Sequence, residues 1–139
     1  MIRRHALATI GLAIALLSHQ AVLAGEAPAA KLTADQLRAE LIGKTLDGEI
    51  KTGRSGGRSF TAYIGADGIE RFKTSKYEDK GKYRITPDGQ WCVTWEKLND
   101  GREVCSTIHK SGDTYSAIRV GDSVVGSTWT VKPGNPNGF

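Results

Sequence analysis

The sequence predicts a mainly β domain, with one short N-terminal helix followed by a seven- or eight-stranded antiparallel meander that is barrel-like or strongly twisted. Three observations carry this expectation. Turn signals recur every ~8 to 12 residues from Thr45 onward, the spacing of short strands joined by hairpins. Apolar residues between the turns alternate with polar ones, and no helical periodicity intervenes. The 17 glycines supply the tight turns that such a meander needs.

The chain opens with an export signal rather than with the domain. Arg3, Arg4 and His5 form a basic start, Ala6 to Leu17 is apolar except for Thr9 and Gly11, and Val22-Leu23-Ala24 closes a more polar segment. The apolar run is about a dozen residues, short of the roughly 20 that a membrane span requires. Residues 1–24 are therefore expected to be cleaved, leaving no membrane span and a protein that is periplasmic or secreted. Loss of Arg3 and Arg4 takes the 19 basic residues to 17 against 15 acidic ones, a net charge of +2 instead of +4. It also removes His5 and His19, so His109 is the one histidine left.

The elements follow in order. Residues 25–31 read as a disordered leader rich in small residues. Thr33 and Gln36 have capping-box spacing, Leu32 and Leu37 sit where a hydrophobic staple would hold the first turn, and Gly43 is a natural stop. A helix of about nine residues is expected there, covering one end or face of a sheet. Strands are expected over 45–52, 59–65, 69–77, 80–86, 90–97, 102–110, 113–120 and 124–132. The helix and strands form a single domain over 32–132, and residues 133–139 form a turn-rich tail. Sheet edges in such a meander are most simply removed by curling it into a barrel.

Parity fixes the best-marked hairpin. Trp91, Val93 and Trp95 share one face of their strand, while Cys92, Thr94 and Glu96 share the other. In an oxidising compartment Cys92 and Cys105 are expected to pair. Setting them opposite each other places Val93 against Val104, Trp91 against Ser106 and Thr94 against Glu103. That register needs a two- or four-residue loop, and it puts the disulfide outside and both tryptophans inside.

The candidate chemistry is that of binding. Gly121-Asp122-Ser123 looks like a protease nucleophile segment, but a serine nucleophile needs a positioned base and only His109 remains. The segment reads as a turn, and no acidic pair stands out. Two cysteines and one histidine are too few for a zinc site. No catalytic residue, metal or cofactor is expected, and the protein is read as a non-enzyme. Lys44 to Arg84 holds ten basic and six acidic residues, and within it Gly53-Arg-Ser-Gly-Gly-Arg-Ser59 joins flexible backbone to the guanidinium groups of Arg54 and Arg58. Such a loop can meet a phosphate or carboxylate, or simply be a solvated hairpin. Export makes nucleic acid a poor partner. The aromatic residues Trp91, Trp95, Trp129 and Tyr83 fall on alternating positions, either filling a core or lining a space around an apolar ligand.

From Gly81 onward the chain reads Gly-Lys-Tyr-Arg-Ile, Asp-Gly-Gln-Trp-Cys-Val-Thr-Trp, Asp-Gly-Arg-Glu-Val-Cys, Ser-Gly-Asp-Thr-Tyr and Gly-Asn-Pro-Asn-Gly in turn. This resembles a family of small secreted alphaproteobacterial proteins of unknown function with a W-C-x-x-W…C…G-D-x-Y pattern, over about residues 33–138. The resemblance implies a periplasmic address and a mostly β fold, and it assigns no catalytic residues. The expected function is a periplasmic binding or accessory domain for a small apolar molecule or an anionic envelope component. The alternative is an exported protein inhibitor of the lysozyme- or protease-inhibitor kind, which would meet a protein partner through a surface loop.

Overall fold

The computed structural model describes residues 29–139, so the segment read as an export signal lies outside the described residues. The chain runs through β1 (Ala30–Lys31), α1 (Ala34–Leu41), β2 (Lys44–Ile50), β3 (Ser59–Ile64), β4 (Ile69–Thr74), β5 (Glu78–Ile85), β6 (Gln90–Trp95), β7 (Glu103–Ser111), β8 (Thr114–Arg119) and β9 (Val125–Pro133). Each strand from β2 to β9 pairs antiparallel with the next, and β9 returns to pair with β2 along Lys44–Pro133 to Ile50–Ser127. Eight strands thus close into a barrel with no free edge, and the expected meander is found in its fully closed form. No helix among the described residues is long and apolar enough to cross a membrane.

The cysteine register matches the parity argument pair for pair. Cys92 lies opposite Cys105, Val93 opposite Val104, Trp91 opposite Ser106 and Thr94 opposite Glu103. The two Sγ atoms are bonded. Arg84, the cross-strand neighbour of Cys92, forms a two-pronged pair with Glu103 at 2.6 and 2.8 Å beside the disulfide on the outer face. The β6–β7 hairpin turns through Leu98–Gly101, where Asn99 and Asp100 adopt left-handed backbone. Asp79 of β5 fastens this turn by accepting from the backbone N–H groups of Lys97 (3.1 Å) and Leu98 (2.8 Å).

Because the strands alternate in direction, the loops divide between two ends. The β3–β4, β5–β6 and β7–β8 turns lie at one end, and α1 closes it. The capping box is complete: Gln36 N–H donates to Thr33 Oγ1, and Thr33 N–H donates to Gln36 Oε1. Leu32, Leu37 and Leu41 are buried, so the staple expected from the sequence also anchors the helix in the barrel. Gly43, at φ +75°, takes the left-handed turn that releases the chain into β2. Glu40 fixes the helix to the far wall by accepting from Lys110 Nζ (2.8 Å) and Tyr115 OH (2.6 Å).

The stretch expected to be a leader through residue 31 is partly ordered, which moves the start of the folded domain two residues earlier. Ala30 and Lys31 pair with Lys110 and His109 of β7, occupying the place where β6 has ended at the Gln90–Thr107 pair. Small and polar residues at a strand this short carry no alternation, so the pairing is set by the open ladder position on β7. At the other extreme Gly48 has no room for a side chain. A Cβ there would fall 2.1 Å from the Thr128 carbonyl oxygen and 2.7 Å from Trp129 Cβ, so β2 and β9 approach as closely as they do only because this residue is glycine.

Candidate functional site

The barrel interior is hollow. A cavity of about 770 Å³ runs from the Leu41 side chain of α1 to the opposite end of the barrel, where the β2–β3, β4–β5, β6–β7 and β8–β9 loops surround it. That volume lies within the ~300–1,000 Å³ of typical small-molecule sites. The inward positions of the strands supply its walls: Leu46, Phe60, Phe72, Trp91, Val93, Trp95, Ile108 and Trp129. Local alternation produces this lining, since each of these residues falls on the inward parity of its strand.

The aromatic rings are arranged in contact with one another. Phe60 stacks on Phe72 with centroids 5.1 Å apart, and Phe72 meets the edge of Trp95 at 5.6 Å. Tyr83 lies flat against Trp91 at 4.5 Å, and Tyr115 stacks on Trp129 at 6.0 Å. These contacts hold the walls in place, so the space between them does not depend on a ligand for support.

Polarity is concentrated at the two ends. At the loop end the lining includes Arg54, Lys97 and Arg119, all exposed, together with Thr52, Ser55 and Asn99. Arg119 is paired with Asp122 at 2.6 Å, and among the described residues Lys97 Nζ reaches only the Glu78 carbonyl at 3.4 Å. Arg54 has no ion-pair partner among the described residues. Toward the helix end stands Glu70, the one acidic side chain lining the cavity among the described residues. It is 8 % exposed, and its Oε2 accepts from Trp91 Nε1 at 3.0 Å. Burial pushes its carboxyl up to about 7, against a smaller opposing effect of the Trp91 hydrogen bond. Trp129 has a buried Nε1 with no partner among the described residues.

Of the residues singled out from the sequence, Arg54, Trp91, Trp95 and Trp129 meet around this one cavity. Arg58 and Tyr83 do not line it. Arg58 Nη1 donates to Ser55 Oγ at 3.3 Å behind the rim, and Tyr83 backs Trp91 while its hydroxyl donates to the Gly65 carbonyl at 2.5 Å. His109 is on the outward parity of β7, next to Thr107 Oγ1 at 3.1 Å. Cys92, Cys105 and Glu103 cluster within ligand distance of one another, but both sulfurs are held in the disulfide and are not thiolates.

Glu70, Lys97 and Arg119 were missed by the sequence reasoning. The alternation Glu70-Phe72-Thr74 was a usable signal for Glu70, because a strand that turns Phe72 inward turns Glu70 inward too. Arg119 shares the parity of Tyr115 and Ala117 on β8 and carried the same signal, whereas Lys97 carried none, since it joins Arg54 only once the barrel closes. A second hollow, of about 720 Å³ on the outer surface over β2, β3, β4 and β9, is wide open and lined largely by Asp47, Lys73 and threonines. It offers a ligand little enclosure. No protein-family model, curated protein or solved structure matches this chain, so the chemistry is read from the cavity itself.

Proposed function

We propose that this protein is an exported, non-enzymatic binding protein that holds a small amphipathic molecule, with its apolar body inside the barrel and an anionic group at the rim. The observation that carries the reading is the hollow interior, walled by aromatic and aliphatic side chains and opening past Arg54, Lys97 and Arg119. Enclosing an apolar chain removes its surface from water at ~25 cal/mol per Å², while the exposed Arg54 and Lys97, beside an Arg119 that Asp122 already pairs, favour a carboxylate or phosphate outside. The Cys92–Cys105 disulfide supports an oxidising compartment, in keeping with the export signal read over residues 1–24. The inhibitor alternative draws on the β8–β9 connection, where Val120 and Val124 of the loop and Val125 at the start of β9 are exposed large apolar side chains.

Titration of intrinsic tryptophan fluorescence with a medium-chain fatty acid and with the alcohol of the same chain length tests the proposal. Trp91, Trp95 and Trp129 all line the cavity, so occupancy should shift the emission, with micromolar affinity for the acid and weaker affinity for the alcohol. No spectral change with either compound up to its solubility would overturn the proposal.

A further inference from the structure

We infer that Glu70 is a recognition group for a hydroxyl at the buried end of the ligand, so that the bound molecule carries an anionic head at the rim and a hydroxyl near the floor. The inference rests on the reading of the cavity as an amphiphile site and adds the chemistry of the ligand's inner end. The position is built rather than incidental. Trp91 donates to Glu70 Oε2 at 3.0 Å, Tyr83 lies flat against Trp91 at 4.5 Å, and the Tyr83 hydroxyl is tied to the Gly65 carbonyl at 2.5 Å. The carboxyl is therefore held in one orientation on the cavity wall, and no described residue donates to its Oε1.

A carboxyl is a costly way to satisfy one indole N–H. Burying it is opposed by desolvation, and a neutral acceptor would serve Trp91 at a smaller penalty. Its retention in an apolar wall makes chemical sense if the second oxygen meets the ligand. A hydroxyl suits that oxygen in both ionisation states, which coexist near neutrality because burial places the carboxyl at about 7. It donates to the carboxylate, and it accepts from the neutral acid. An ammonium would bind only the ionised form, and it would have to enter past Arg54, Lys97 and Arg119.

The test compares three ligand series of matched chain length: unsubstituted fatty acids, ω-hydroxy acids and ω-amino acids, each titrated against the wild-type protein, Glu70→Gln and Glu70→Leu. The wild-type protein should bind the best-fitting ω-hydroxy acid roughly tenfold more tightly than the unsubstituted acid, the ratio expected of one well-made hydrogen bond. Glu70→Gln, whose amide can still meet both Trp91 and a hydroxyl, should keep most of that preference. Glu70→Leu should invert it while still binding the unsubstituted acid, which shows at once that this variant is folded. Equal affinity of the wild-type protein for the hydroxy and unsubstituted acids would overturn the role of Glu70 and leave the amphiphile reading standing. Tightest binding of the ω-amino acid would overturn it in favour of a carboxylate counter-ion. Failure of all three series would remove both readings together.

Discussion

Glu70 makes the protein's stability depend on pH in an unusual direction. Its carboxyl stands at about 7 in the folded barrel because burial disfavours the charge, whereas the unfolded chain returns it to the ordinary value of 4.5. The folded state therefore holds the proton more tightly. The stabilisation is complete below the unfolded value and is lost as pH rises through 7, by an amount on the order of 3 kcal/mol. Glu40 and Asp47 act the other way. The Lys110 hydrogen bond, then that of Tyr115, holds Glu40 low, and the Lys132 hydrogen bond does the same for Asp47, so their stabilisation is lost as pH falls through the folded values. Urea unfolding at about pH 5 and about pH 8 should show the wild-type protein less stable at the higher pH, and Glu70→Gln nearly level between them. A wild-type protein equally stable at both would mean that Glu70 is better solvated than its surroundings indicate. At this scale the sequence was only partly legible. The parity that turns Phe72 inward on β4 also turns Glu70 inward, yet an acidic residue on a strand is ordinarily solvated, and only the closed barrel shows that this one is not.

Among the elements, the β6–β7 hairpin was the most readable, for a geometrical reason. Two bonded cysteines on neighbouring antiparallel strands must share a face, and once they are opposed, every other pair follows at period two. The disulfide closes a short loop, with a sequence separation of 13, inside a fold whose remaining pairings are set by packing. Replacing both Cys92 and Cys105 by alanine should lower stability by about 3 kcal/mol, the value of chain-entropy models for a loop of this size. Thermal unfolding of the double variant beside the oxidised wild-type protein measures it; an unchanged midpoint would show that the packed strands alone hold the register. The helix was equally legible, because Thr33, Gln36, Leu32, Leu37 and Gly43 each carry a local signal for its start or stop. β1 was not legible, since its two residues are ordered by an empty ladder position on a strand far along the chain.

At the scale of the whole molecule, closure creates both the cavity and its charge. Arg54 and Lys97 belong to two loops and Arg119 ends β8, far apart in sequence, and the alternation of strand direction brings all three to one end. The basic Lys44–Arg84 stretch suggested an anion site, but only Arg54 of the two loop arginines reaches the opening. The hollow itself could not be read from the sequence, because the same inward aromatics would also serve as a filled core. Because the rim charges are exposed, salt should weaken the binding of an anionic amphiphile several-fold between low and near-physiological ionic strength, and leave that of the matching alcohol unchanged. Dissociation constants measured across a salt series check this. Equal salt dependence for acid and alcohol would mean that the rim does not hold the head group.

β1 has a practical consequence for anyone handling this barrel. Ala30 and Lys31 join β7 at His109 and Lys110, near the strand's last residue, and Lys31 Nζ donates to the Asp88 carbonyl in the β5–β6 turn at 2.9 Å. The chain thus enters the fold at the helix-covered end, a full strand length from the opening. A bead or sensor chip coupled ahead of Ala30 leaves the opening facing the solution, whereas coupling through Lys97 obstructs it. Immobilisation chemistry directed at surface lysines would therefore depress the apparent capacity of the protein, and the chain's own point of entry is the better handle.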